Sequence, residues 1–164
     1  MLYLLFDILK TMCVDMDIKI KRAETLPNEI KTLAAVAEQE DYPHIHRLIE
    51  EYQSGKNVYA AEGECLLLAY DGQKLIACGC LNQQWNDTEI ETRIGRVRRF
   101  FVHPKYRQHG VGKLLLSHLE QQARPHYSAL CLHTTTKGAV SFYQKQNYVF
   151  VESHPNYNYF KYLI

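Results

Sequence analysis

The hydrophobic pattern changes period twice between residues 91 and 135, and no other feature constrains the fold as much. Glu91 to Val102 reads as a long strand that stops at Pro104. From Val111 to Gln122 the spacing turns helical, with Val111, Leu114, Leu115 and Leu119 on one side. Ser128 to Thr135 is again a strand. Strand, helix and strand in that order imply a parallel pair joined by a right-handed crossover.

The flanking segments supply antiparallel neighbours. Asp17 to Ala23 alternates apolar and polar residues, as a half-buried strand does. Pro27 marks a helix start, and Ile30, Leu33, Ala34 and Ala37 continue at helical spacing. A second helix is expected from about Tyr42 to Gln53, with a stripe of Ile45, Leu48 and Ile49 and an end at Ser54-Gly55. Cys65–Tyr70 and Lys74–Leu81 flank Asp71-Gly72, a hairpin signal, and Asn86-Asp87 marks a further turn. A short helix from Ala139 to Gln146 and strands near 148–152 and 158–163 close the chain. The order is β-α-α-β-β-β-α-β-α-β-β. It predicts a single α/β (α+β) domain over 16–164, with a mixed, mostly antiparallel sheet flanked by helices.

The length of 164 residues suits one domain, and 46% hydrophobic content excludes a disordered chain. Nineteen Lys and Arg against 18 Asp and Glu leave a net charge of +1, which argues against a dedicated nucleic-acid binder. No apolar run reaches the roughly 20 residues of a membrane span. Residues 1–15 form an N-terminal extension, read either as a short extra helix or as a disordered segment. They lack the basic start and cleavage site of a signal peptide. Five cysteines, an odd number, fit a reducing cytoplasm. Neither Cys78-Gly-Cys80 nor His44 and His46 has a second cluster at ligand spacing, so no metal is expected.

Chemistry concentrates in the segment from Val102 to Lys113, VHPKYRQHGVGK. A strand ends, a loop follows, and a helix begins around two glycines, Gly110 and Gly112. A helix N-terminus offers unpaired N–H groups and a partial positive charge, which together suit a phosphate. The 21 residues from Arg93 to Lys113 hold seven Lys or Arg and no Asp or Glu, so a nearly neutral chain gathers positive charge there. The spacing is neither that of a P-loop nor that of a dinucleotide-binding turn. A solvated strand edge followed by a Gly-initiated helix is the alternative reading.

Arg107-Gln-His-Gly110-Val-Gly112, preceded by Val102-His-Pro104, resembles the coenzyme A loop of the GNAT superfamily of acyl-CoA-dependent N-acyltransferases. A second match lies downstream. Ala139-Val-Ser-Phe142-Tyr143-Gln-Lys145-Gln-Asn147-Tyr148 is similar to the family's Ala-x-x-Phe-Tyr-x-Lys-x-Gly-Phe segment. The resemblance covers roughly residues 17 to 163. It implies a GNAT-like domain in which the amides of Arg107, Gln108, His109, Gly110, Val111, Gly112 and Lys113 hold the pyrophosphate of acetyl-CoA. It also implies that the main chain of Phe100, Phe101 and Val102 pairs with the pantetheine arm as an added half-strand. Thr136 stands where relatives often carry an Asn that bonds the same arm, and one hydroxyl cannot span two partners as an amide does. Asn147 replaces a Gly, a mild exchange because Asn tolerates positive φ.

The implied reaction is transfer of an acetyl group from acetyl-CoA to a primary amine, by direct attack in a ternary complex. Tyr143 is the candidate acid for the departing thiolate, its free pKa near 10 lying above that of a thiol; core packing is the alternative. Phe142 beside it is expected to face another way. For the base, His133 is the candidate because an imidazole ordinarily titrates near neutral pH, with Glu89, Glu91, a water chain and a merely half-exposed strand His as alternatives. Trp85 either walls the acceptor pocket or covers the core edge. The acceptor is a small-molecule or peptide amine, and a homodimer is a further possibility. Neither a nucleic acid nor a membrane is an expected partner. Two competing readings are a non-catalytic acyl-CoA sensor or pseudoenzyme and a nucleic-acid module using the basic segment.

Overall fold

The computed structural model describes residues 16–84 and 93–164. Among the described residues, seven strands and four helices follow one another as expected: β1 (Ile18–Arg22), α1 (Ile30–Glu38), α2 (His44–Gln53), β2 (Cys65–Asp71), β3 (Lys74–Gln83), β4 (Ile94–Val102), α3 (Val111–Ala123), β5 (Ala129–Leu132), α4 (Lys137–Lys145), β6 (Val149–Phe150) and β7 (Tyr159–Tyr162). They form one sheet in the order β1-β2-β3-β4-β5-β7-β6. Only β4 and β5 run parallel; every other neighbouring pair is antiparallel. Residues 1–15, the turn at Asn86-Asp87, and Trp85, Glu89 and Glu91 lie outside the described residues.

The sheet is buried on both faces, which explains the unbroken apolar run of β2. Leu66 and Leu68 pack with Ile30, Leu33, Ala37, Ile45 and Leu48 of α1 and α2. Cys65, Leu67 and Ala69 alternate to the other face, against Val111, Leu115, Leu116 and Leu119 of α3. Leu114 departs from the expected stripe: it is 37% exposed, and Leu116 takes the inward place. Leu115, Leu119 and Ala123 set the buried direction, and a residue at i+3 from Val111 lies on that direction's solvent flank. Burial pushes the thiol of Cys78 up to about 12 and that of Cys65 to about 11, so both behave as small apolar groups.

Two boundaries move for local reasons. Asp71 pairs with Lys74, so Gly72 and Gln73 form the hairpin loop, one residue later than expected, with Gly72 at φ +58°. β5 ends at Leu132 rather than running to Thr135. Beyond it the Asn158 side chain replaces a strand neighbour, accepting from the Thr134 amide at 3.0 Å and donating to the Thr134 carbonyl at 2.7 Å. After α4, Asn147 takes φ +67° as expected. The Tyr148 amide then reaches the Tyr143 carbonyl at 3.0 Å and the Asn147 amide reaches that of Gln144 at 3.0 Å, closing a Schellman cap.

Candidate acyl-CoA site

The site begins where β4 and β5 part. They pair only at Ile94–Ala129, Gly95–Leu130 and Arg96–Cys131. From Val97 onward β4 keeps β3 on one side and has no strand on the other. A register shift between Cys78 and Cys80, with Arg99 at φ +50°, bulges β4 at the start of this free edge. The carbonyls of the edge meet side chains instead. Tyr42 donates its hydroxyl to Phe100 at 3.2 Å, and Arg107 donates Nε–H to Val102 at 3.0 Å.

A short turn at Pro104–Tyr106 leads from the edge to α3. Gln108 and Gly110 both have positive φ, +62° and +82°, and Gly110 caps the helix. A Cβ on Gly110 would meet only open space, so glycine is needed there for its dihedral and leaves the cradle unobstructed. Gly112 serves a different purpose. Its Cβ would come within 3.3 Å of Phe142, so its smallness lets α3 and α4 approach. Six consecutive amides, from Gln108 to Lys113, make no well-formed backbone hydrogen bond. Together with the helix dipole they form a concave set of donors suited to a polyanion.

Arg107 plays a part other than a free charge. Its guanidinium forks onto both carboxylate oxygens of Glu40, past the end of α1, while lying over the Phe101 ring. It therefore ties the loop to β4 and to the α1–α2 corner. The exposed His109 and Lys113 flank the cradle, and Thr136 opens α4, exposed and with no capping bond from its hydroxyl.

Aromatic rings from two elements meet at the free edge. Phe100 stacks on Phe142 at 5.7 Å and meets Tyr143 edge-on at 6.0 Å. Phe142 and Tyr143 thus both reach Phe100, against the expectation that they would diverge; consecutive helix residues straddle a ring lying between them. Tyr143 is buried, and its phenol is held well above the usual value, first by burial and then by the neighbouring Tyr42. Tyr42 is raised as well, chiefly by burial. It owes its place to the end of α1, where Asp41 at φ +56° turns the chain and the Tyr42 amide returns to the Ala37 carbonyl. His133 lies just past β5, exposed and outside the strand expected to hold it.

On the opposite wall, Arg99 forms a fork with Glu51 of α2 at 3.0 Å to each oxygen and contacts His44 Nδ1 at 3.3 Å. Burial and the Arg99 charge hold His44 below its usual pKa. Arg96 donates to Gln84 at 3.0 Å and to the Asn156 carbonyl at 2.7 Å. The inward roles of Tyr42, Arg99, Glu51 and His44 carry no sequence signal, since Tyr42 meets a carbonyl 58 residues away. Among the described residues, no group of three or more His, Cys, Asp or Glu is arranged to hold a metal ion, and no helix is long and apolar enough to cross a membrane.

Residues 28–148 match the model of the acetyltransferase (GNAT) family. The chain belongs to that family. No curated protein matches it in sequence. Among solved structures it is similar to a protein from Exiguobacterium sp. 255-15 assigned as an acetyltransferase, with TM-score 0.77 and 26% identity over 90% of this chain and 94% of that one. It is also similar to an acetyltransferase from Streptococcus agalactiae 2603, with TM-score 0.70 and 20% identity over 89% and 98% of the two chains. A third likeness is to yncA of Salmonella typhimurium, solved with its cofactor acetyl-CoA, with TM-score 0.63 and 12% identity over 90% and 94%. Family and fold together point to acyl transfer.

Proposed function

We propose that the protein transfers the acetyl group of acetyl-CoA to a primary amine, by direct attack within a ternary complex. The carrying observation is the row of six unbonded amides behind the left-handed Gly110, set beside a strand edge that no strand covers. In this reading the amides of 108–113 hold the pyrophosphate, while the Arg107 amide, expected among them, is taken by the Pro104 carbonyl at 3.2 Å. The pantetheine arm runs along Phe100–Val102 as an added half-strand. The carbonyls of Phe100 and Val102 each retain a second lone pair for its amides, and Thr136 offers its hydroxyl from the far side.

The amine attacks the thioester carbonyl as the neutral base. The N–C bond forms, the C–S bond breaks, and the amine gives up a proton as the thiolate receives one. Tyr143 supplies the proton to sulfur, and its raised pKa keeps it a donor rather than a base. The ammonium proton leaves to a general base, for which His133, Glu89, Glu91 and a water chain are the candidates. The test is a panel of amines incubated with acetyl-CoA, following release of free thiol. Amine-dependent release supports the reading. Binding of acetyl-CoA without release for any amine would favour a non-catalytic sensor instead.

A further inference from the structure

The three arginines at the N-terminal side of the β4 bulge have unequal surroundings. Arg96 bonds Gln84 and Asn156, and Arg99 bonds Glu51 through a terminal nitrogen, although the Nε of Arg99 is, like that of Arg98, buried without an acceptor. Arg98 has no hydrogen bond and no ion pair among the described residues, and its Nε is buried without an acceptor. A buried N–H without a partner is costly, and most so on a charged group. Arg98 lines an open cavity of about 310 Å³, together with the segment after α2 and Asn82 and Gln83 of β3. The volume lies at the small end of ligand pockets, roughly 300–1,000 Å³.

The wall beside Arg98 is polar but uncharged. The carboxamides of Asn57 and Asn82 bond one another at 3.1 and 3.2 Å, and each NH₂ keeps a second hydrogen for another acceptor. Lys56 and Glu64 also line the cavity and offset each other in charge. One guanidinium fork flanked by amide donors matches a single flat monoanion, a carboxylate; a phosphate dianion would leave a charge unmatched. Arg98 also lies two residues before Phe100 on the free edge of β4, which begins at Val97, so the cavity is lined by the same stretch of strand along which the arm would run.

We infer that this cavity holds a carboxylate of the acetyl acceptor, which is therefore an amine of the amino-acid class, with Arg98 as its counter-ion. The inference rests on the acyl-transfer reading for the word acceptor, and on the cavity alone for the carboxylate.

Calorimetry with N-acetyl-L-amino acids and their C-terminal carboxamides, on the protein alone and saturated with CoA, separates the two. The acids should bind on the order of tenfold tighter than the neutral amides. Arg98→Gln should remove that difference, and Arg98→Lys should keep part of it, since the charge stays and the fork is lost. Equal binding of acid and amide, binding of neither, or a difference that survives Arg98→Gln overturns the inference. CoA binding by each variant reports folding, and if Arg98→Gln fails there, the wild-type comparison with Arg98→Lys decides. Absence of CoA binding by the wild-type protein would overturn the acyl-transfer reading, while the acid–amide comparison on the free protein still decides the cavity.

Discussion

Tyr143 is where a single atom matters most. Its ring packs against those of Phe100, Phe142 and Tyr148, and Tyr42 is near enough to help raise its phenol. Tyr143→Phe should lower kcat about 10²-fold, the scale of one positioned acid, and leave acetyl-CoA affinity within about twofold; steady-state kinetics with calorimetry checks both. Because burial raises the phenol, its donor form persists at pH values where a free phenol, near pKa 10, ionises. The kcat–pH profile should therefore show no loss centred near pH 10; a loss there that Tyr143→Phe abolishes would show that the phenol is not raised. Tyr143 is legible in the sequence because a local motif surrounds it. Tyr42 and the Arg99–Glu51 fork are not, because their partners come from distant segments and no periodicity encodes such meetings.

At the scale of elements, two left-handed residues end or begin helices and behave differently under substitution. Asn147 at φ +67° closes α4. Asn147→Ala should cost about 1 kcal/mol and Asn147→Gly should cost nothing, measured by chemical denaturation. Gly110 at φ +82° opens α3. Gly110→Ala should cost about 1–2 kcal/mol and also weaken acetyl-CoA binding, since relieving the strained dihedral turns the amides away from their common centre. An affinity unchanged in a folded Gly110→Ala protein would show that the amides do not hold the pyrophosphate. The helices and the hairpin were readable because period and punctuation agree within each segment. The length of β5 was not. His133 to Thr135 continue a plausible strand pattern, but the Asn158 side chain takes up the backbone bonds there and ends the pairing.

For the whole molecule, the decisive feature is that a parallel pair opens into a cleft. The order of elements is readable from alternating periods, and the parallel pairing of β4 with β5 follows from the helix between them. That the pair separates after Arg96 is not readable, since it depends on a bulge at Arg99 and on rings contributed by α4. Within the acid-free stretch from Arg93 to Lys113, Arg99 and Arg107 are paired with Glu51 and Glu40, and the exposed Lys105 and Lys113 supply positive charge beside the loop. Association of acetyl-CoA should therefore slow several-fold as salt rises from low to high ionic strength, a dependence stopped-flow binding would read directly.

The central claim is that the amides following Arg107 grip a diphosphate, and titration of acetyl-CoA into the protein tests it without reference to any acceptor. A saturable heat at one site per chain, with an upward shift in Tm as ligand is added, is the expected result. No heat and no shift at millimolar acetyl-CoA would contradict it.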